Sequence, residues 1–364
     1  MLLKGVISGS MQQRCAIKLR LLASISAFFC ATALVQAQQG FVVGSSSGSS
    51  QVQVFRGTST TPTLSFNAFD PGFGGGVWVG STDVNRDGVA ELLVGAGAGG
   101  GPTVRIFEST AGTVLGEFNL GDAASRAGVL VAGGDLNGDG FGDVLAGNGG
   151  SPRITSAKAD GTPIFPEFFA QDSTARTGSS VAVGDVDNNG RAEIITGTLQ
   201  GSPTVRVFRT DTATPSLLYS FDAGDSSFRG GIFVAAGDID RDGFSDIVTG
   251  LGSGGSSQVK VFSGRTGLSL MSFLAFDPAF SGGVRVGVAD LNADGFLDII
   301  TGMGPGGGRV RAFSGLDQQM LVDFSPFGES FTGGVSVAGV VPEPSSALAL
   351  LAGGAILLGR RRRD

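Results

Sequence analysis

The 364-residue sequence contains no histidine, one tryptophan, one tyrosine and two cysteines. Without histidine, no Ser-His-Asp triad, no Cys-His pair and no histidine-bearing zinc site can be assembled. Cys15 and Cys30 both fall within a segment that reads as removable on export. The remaining chain would then have no thiol, which excludes disulfides and metal–thiolate chemistry. One Trp and one Tyr leave few aromatic platforms on which sugars could stack. No stretch of the body sustains a helical period, so a helical architecture is not expected.

What is present is 63 glycines, 27 phenylalanines and an excess of acid. Arg14, Lys18 and Arg20 precede an apolar run from Leu21 to Val35, and Val35-Gln36-Ala37 places small residues where a signal peptidase cleaves. Residues 1–37 are therefore expected to be a signal peptide, with Met1 and Met11 both open as the start. At the far end, Pro342, Glu343 and Pro344 are followed by an apolar run from Ala347 to Gly359 and by Arg360, Arg361, Arg362 and Arg363. That run is shorter than the ~20 residues of a stable helical span, and the arginines keep its end cytoplasmic. With residues 1–37 and 341–364 set aside, the body holds 17 basic and 30 acidic residues, a net charge of −13. Nucleic acid and anionic membranes are disfavoured as partners.

Much of that acid is concentrated in one motif. Residues 238–246, DIDRDGFSD, place Asp238, Asp240, Asp242 and Asp246 in a single tight loop with Gly243 at the turn. Unpaired, the four carboxylates repel one another. Carboxylates at positions 1, 3, 5 and 9, with Gly at 6, suit a hard cation such as Ca²⁺, and Phe244 at position 7 would add its backbone carbonyl. Near copies run over 83–91, 135–143, 185–193 and 290–298, their first residues 52, 50, 53 and 52 apart. A period near fifty residues indicates a solenoid, propeller or array. Each unit also shows four short alternating runs bounded by Gly, Asp and Pro, which read as four strands. First and second halves of the unit both occur six times, and the chain starts and ends in mid-unit. The segment near Gly334 to Val340 can therefore complete the sheet opened by Phe41 to Phe55 and remove its free edge. The expectation is an all-β propeller over residues 38–340, of six four-stranded blades closed Velcro-fashion, with seven blades the alternative count.

These units resemble FG-GAP (VCBS-type) repeats, as in the integrin α-subunit propeller and many secreted bacterial proteins. The resemblance implies a propeller with Ca²⁺ between the first two strands of a blade, about five ions in all, held structurally. The implied ligand sets are Asp83, Asn85, Asp87, Val89 and Glu91; Asp135, Asn137, Asp139, Phe141 and Asp143; and Asp185, Asp187, Asn189, Arg191 and Glu193. The remaining two sets are Asp238, Asp240, Asp242, Phe244 and Asp246, and Asp290, Asn292, Asp294, Phe296 and Asp298. The sequence departs from the integrin pattern in its six blades and in the longer Glu at position 9 of the first and third loops. The tail resembles the PEP-CTERM sorting signals of Gram-negative bacteria, which implies exosortase processing, transient membrane association through the tail, and delivery to the cell surface or extracellular matrix.

Other readings are weaker. An EF-hand needs Glu at position 12, where the first two loops have Val94 and Ala146. Gly95 to Gly100 matches a dinucleotide fingerprint by letter, but a strand, not a helix, is expected next. Asp70, Asp122, Asp172, Asp225 and Asp277 each precede a loop by 13 residues; catalysis needs a few unequal groups, so this repeated set reads as turn formers. The in-phase Arg105, Arg206, Lys260 and Arg311 are expected to pair with acids of neighbouring blades. Trp78 shares a strand position with Leu130, Phe233 and Arg285, and inter-blade packing is expected for it. The unit around Val144 to Asp172 departs most from the repeat, with Lys158, Phe165, Glu167, Phe168 and Phe169 its own. The functional expectation is a non-enzymatic adhesion or matrix-binding module with an extracellular polysaccharide or surface protein as partner. The alternatives are a polysaccharide hydrolase or lyase on the same scaffold, and a purely structural matrix protein.

Overall fold

The structure, a computed structural model, describes residues 39–341. The expected signal peptide and the tail residues Pro342, Glu343, Pro344 and Arg360 to Arg363 lie outside the described residues. The chain opens with β1 (Gly40–Ser45), β2 (Gln51–Arg56) and β3 (Leu64–Asn67). Blade 1 follows as β4 (Val77–Thr82), β5 (Glu91–Ala96), β6 (Thr103–Phe107) and β7 (Val114–Asn119). Blade 2 is β8 (Val129–Gly134), β9 (Asp143–Asn148), β10 (Arg153–Ala157) and β11 (Phe168–Phe169). Blade 3 is β12 (Ser179–Gly184), β13 (Glu193–Thr198), β14 (Thr204–Arg209) and β15 (Ser216–Asp222). Blade 4 is β16 (Ile232–Gly237), β17 (Asp246–Leu251), β18 (Gln258–Phe262) and β19 (Ser269–Leu274). Blade 5 is β20 (Val284–Ala289), β21 (Asp298–Met303), β22 (Val310–Phe313) and β23 (Met320–Phe324), and β24 (Val335–Val340) ends the set.

All pairings between these strands are antiparallel, and each sheet has four strands. The closure is as the half-unit count requires. β24 pairs with β1, Val42 opposite Ala338 and Val43 opposite Val337, so the sixth sheet runs β24-β1-β2-β3. Chain ends distant in sequence thus seal the ring by backbone hydrogen bonds and leave no open edge between first and last blade.

The second strand of a blade reads as a nearly continuous apolar run because both of its faces are covered. β5, β9 and β13 are buried at every residue. The outer strands β7 and β19 alternate between exposed and half-buried residues, as an edge strand with one solvated face should. The hydrophobic core is divided into six clusters, one between each pair of neighbouring blades. Between blades 4 and 5, for instance, Val248, Val259 and Val261 meet Val284, Val286 and Ile299. The fold therefore depends on blade-to-blade contact, since no blade has a core of its own.

Two of the in-phase basic residues, Arg105 and Arg311, act differently from expectation. Arg105 pairs with Glu117 on the next strand of its own blade at 2.6 Å and donates to the Ala68 carbonyl of the preceding blade at 2.7 Å. Arg311 does the same with Asp323 at 3.2 Å and the Ala275 carbonyl at 3.0 Å. The acid is thus intra-blade, and what crosses to the neighbour is a bond to a carbonyl at the end of its outer strand.

Close blade approach requires glycine in the second strand. A Cβ on Gly95 would run into the Val129 carbonyl oxygen of the next blade's first strand, and one on Gly147 or Gly250 would meet Ser179 or Val284 likewise. Gly74, in a loop, has nothing within 4 Å of such an atom and an ordinary φ. Gly95→Ala is accordingly expected to cost roughly 1–3 kcal/mol through overpacking, and Gly74→Ala no more than about 0.5 kcal/mol. Urea denaturation of the two variants beside the parent measures the difference.

Candidate metal centre

Each acidic loop joins the first strand of a blade to the second, so all five lie at the same end of the disc. The turn is built by the loop's own carboxylates accepting backbone N–H groups. Asp83 Oδ1 accepts from Arg86 at 2.6 Å and its Oδ2 accepts from Gly88 at 2.9 Å. Asn85 Oδ1 accepts from the Asp87 N–H, and Asp87 Oδ1 from the Val89 N–H, both at 2.8 Å. The same ladder recurs at Asp135, Asn137 and Asp139, at Asp238, Asp240 and Asp242, and at Asp290, Asn292 and Asp294. In the third loop Asp185 and Asn189 fill the corresponding roles. Gly at position 6 is left-handed in every loop, with φ between 80° at Gly140 and 90° at Gly243.

Position 4 is left-handed too, and in four loops it is not glycine: Arg86, Asn188, Arg241 and Ala293 have φ of 62°, 57°, 63° and 59°. Sequence spacing gave no hint of this, because any residue can be forced into that region by the bonds around it. The left-handed turn aims Arg86 at the next loop, where its guanidinium lies 5.0 Å from the Phe141 ring centre, and Arg241 makes the same contact with Phe296. Backbone bonds link the loops as well. The N–H groups of Gly142, Ala192 and Ser245 donate to the carbonyls of Asp83, Asp135 and Asp185 in the preceding loops. Arg191 reaches the Asn137 carbonyl.

The ninth residue of each loop is the first of the second strand, and blade packing buries it. Glu91, Asp143, Glu193, Asp246 and Asp298 are all at most 3% exposed. In each, one carboxylate oxygen accepts the N–H of position 2, at 2.8–3.0 Å. Burial is the main cause that raises their pKa, to about 7 for Glu91, Asp143 and Glu193 and about 6 for Asp246 and Asp298, and neighbouring loop carboxylates raise it further. Asp246 Oδ1 is buried with no hydrogen-bond partner among the described residues. A buried carboxyl with other loop acids within 4.8 Å is the environment that a hard cation satisfies, and the donors offered are all oxygen.

In two loops three carboxylates come within 4.8 Å of one another, Asp185 with Asp187 and Glu193, and Asp238 with Asp240 and Asp246. These are the two loops with Asp at position 3. Elsewhere Asn takes that place; Asn85 turns its amide to Glu91 at 3.1 Å and Asn292 to Asp294 at 2.8 Å. These two clusters could each hold a metal ion. The second loop differs again. Lys158, unique to its unit, places its ammonium 2.8 Å from Asp139 Oδ2. Slight burial pulls the Asp139 carboxyl upward in pKa, but the lysine bond and the Phe141 N–H outweigh it and hold the carboxyl below its usual range. Only the unusual composition of the unit hinted at such a role.

Asp70, Asp122, Asp172, Asp225 and Asp277 each accept the N–H two residues on, at 2.7–2.9 Å, and so are turn formers. Glu167 is ion-paired with Arg153. The Gly-rich run after β5 leads into strand β6. Trp78 packs between blades as expected, against the cluster that contains Leu130 of the next blade. Its ring also stacks on Phe233 of the opposite blade, 5.8 Å away, across the central channel.

Residues 135–196, which span the second and third loops, match the FG-GAP-like repeat. Residues 340–363 match the PEP-CTERM protein-sorting motif. The protein is a six-bladed propeller with an FG-GAP-like repeat and a PEP-CTERM motif. The motif indicates an exported protein processed by an exosortase. No curated protein sequence matches the chain significantly. Among solved structures it is similar to a chain of the mitotic checkpoint complex, with 11% identity and a TM-score of 0.43 over 69% of this chain and 64% of that one. It is similar to the V. cholerae biofilm matrix protein Bap1, with 20% identity and a TM-score of 0.39 over 71% of this chain and 41% of that one. It is also similar to an Agrocybe aegerita lectin specific for non-reducing terminal N-acetylglucosamine, with 17% identity and a TM-score of 0.45 over 84% and 85%. The propeller thus spans less than two thirds of the first two of these chains.

The loop ladder gives a metal-independent expectation. Asp238 accepts the N–H groups of both Asp242 and Gly243. Asp238→Ala strands the Gly243 donor and leaves the Asp242 N–H only Asp240 as acceptor, so it is expected to cost about 0.5–1.5 kcal/mol even in excess chelator, read as a lowered denaturation midpoint.

Proposed function

We propose that this protein is an exported, non-enzymatic adhesion or matrix-binding module whose disc is made rigid by structural Ca²⁺. The observation that carries the reading is the buried ninth-position carboxyl, repeated in five interlocked loops of a chain that bears a sorting motif. Each loop offers the side chains of positions 1, 3, 5 and 9 and the carbonyl of position 7. A nine-residue oxygen-only loop of this kind suits Ca²⁺, which accepts six to eight ligands in flexible geometry, better than Mg²⁺. When bound, the ion supplies the positive charge that the buried carboxylates lack. The non-enzymatic part is supported by the in-phase acids being spent on turns and by Glu167 being held by Arg153.

At affinities of about 10⁻⁴ M and about 10⁻³ M free Ca²⁺, mass action adds about 1.4 kcal/mol per occupied site. Chelation is therefore expected to lower the melting temperature by about 10 °C, with roughly four to five ions lost per chain. Metal analysis and thermal melting on one sample measure both, and an unchanged melting point with no bound metal overturns the Ca²⁺ reading. Within the ring, the second loop is expected to bind last, because a cation must displace Lys158 from Asp139. Lys158→Met should tighten that site by up to about fivefold, the worth of one exposed ion pair, measured by calorimetric Ca²⁺ titration.

Adhesion is tested by co-sedimentation of the Ca²⁺-loaded protein with extracellular polysaccharide, where saturable binding without release of reducing ends is expected. Glycan cleavage that is abolished by Glu167→Gln would replace this reading with the hydrolase or lyase alternative.

A further inference from the structure

The six first strands β24, β4, β8, β12, β16 and β20 are each the edge strand of their sheet, and together they wall a central cavity of about 1060 Å³. Edge strands present backbone N–H and C=O groups that no neighbouring strand pairs. The wall accordingly carries peptide donors and acceptors within a mostly apolar lining, and the lining residues Gly80, Ala132, Ala182, Ala235, Gly287 and Ala338 are too small to cover them. At the loop end the lining includes Asp135, Asp185 and Asp238.

The other end is unlike the rest of the ring. Trp78 and Phe233 stack across the channel, and the Arg285 guanidinium lies over both, 4.6 Å from the Phe233 ring centre and 5.8 Å from that of Trp78. Arg285 is 9% exposed. Its Nη1 donates to the Gly282 carbonyl at 3.2 Å, while its Nε has no partner, and it enters no ion pair among the described residues. Burial lowers its pKa to about 10, so it stays charged at neutral pH. Cation–π contacts offset only part of the cost of desolvating a guanidinium. Nε is itself closed off from solvent, so an anion in the channel would meet the guanidinium through Nη2, which bonds to nothing among the described residues, and a planar group of N–H donors is matched to a carboxylate.

We propose that the channel binds a carboxylate-bearing sugar, with the carboxylate on Arg285 and the hydroxyls on the peptide groups of the edge strands. A bare inorganic anion would leave most of the cavity and its peptide groups unused. A ligand of high negative charge would be repelled by the aspartates at the loop end, whereas one carboxylate on a polyhydroxylated ring meets both conditions. The inference deepens the polysaccharide-binding reading and rests on it only for the biological source of the ligand.

Trp78 is the only tryptophan in the chain, so its fluorescence reports on this end of the channel alone. The purified protein is titrated with galacturonate, galactose and acetate at neutral pH and constant ionic strength. A saturable change with galacturonate is expected, with galactose and acetate at least about tenfold weaker. Arg285→Met fills the same space without the buried charge, and is expected to melt no lower than the parent while binding galacturonate at least about tenfold more weakly. Arg285→Lys keeps the charge but loses the planar donor group, and should weaken binding several-fold. The absence of a saturable galacturonate response, equal binding by the parent and either variant, or acetate binding as tight as galacturonate would each overturn the proposal. Co-sedimentation with polysaccharide through the faces of the disc would persist in Arg285→Met, so failure of the channel and failure of the adhesion reading are separable.

Discussion

The ninth carboxyl of each acidic loop is where the fold and its chemistry meet. It begins the second strand, so inter-blade packing must bury it, and it accepts the N–H of position 2, so the turn needs it there. Burial without a counter-charge is costly for the ionised form. Protonation would relieve the cost but spend one acceptor oxygen on a proton. A hard cation removes the conflict without altering the turn, because the carboxylates that would bind it are already aligned by bonds to the backbone. In the second loop a lysine supplies positive charge at Asp139, the fifth position.

The loops do not act singly. The carbonyl of position 1 in one loop receives the N–H of position 8 in the next, at Asp83, Asp135 and Asp185. Arg86 and Arg241 reach forward to the next loop's phenylalanine. Since the hydrophobic clusters also lie between blades, polar and apolar coupling run around the same ring. Stability is then a sum of nearest-neighbour terms, made cyclic by the pairing of β24 with β1. Order imposed on one loop is passed to its neighbours through short bonds.

The sequence disclosed the elements that repeat. The blade count, the closure by Gly334 to Val340 and the turn role of Asp70 and its equivalents followed from phase alone, because every interface is related to the next by nearly the same rotation. The elements that depend on the ring's diameter or on local forcing were not legible. The left-handed backbone of Arg86 and Arg241 has no residue-type signature, since the loop's bonds impose it. Lys158 meets Asp139 because β10 runs back beside β9, a relation that a 19-residue separation does not encode. Trp78 was expected between blades and packs there, but that its ring also reaches Phe233 of the opposite blade was not legible, since it depends on how narrow the channel is.

The channel also explains why this one strand position departs from the repeat. Residues between blades can be alike in every unit, because each touches only its neighbour. Six alike residues aimed at the axis would collide if large and leave a bore if small. Trp78, Leu130, Phe233 and Arg285, set against Ser180 and Ser336, are an asymmetric solution to that problem, with the two hydroxyls bonded to the Ile232 and Val77 carbonyls of the next blades. Filling alone does not select arginine, however. A leucine or methionine would occupy the space over Phe233 with no charge to desolvate and no Nε left unpaired. Among the six residues nearest the axis, Arg285 is therefore the one whose chemistry packing does not explain.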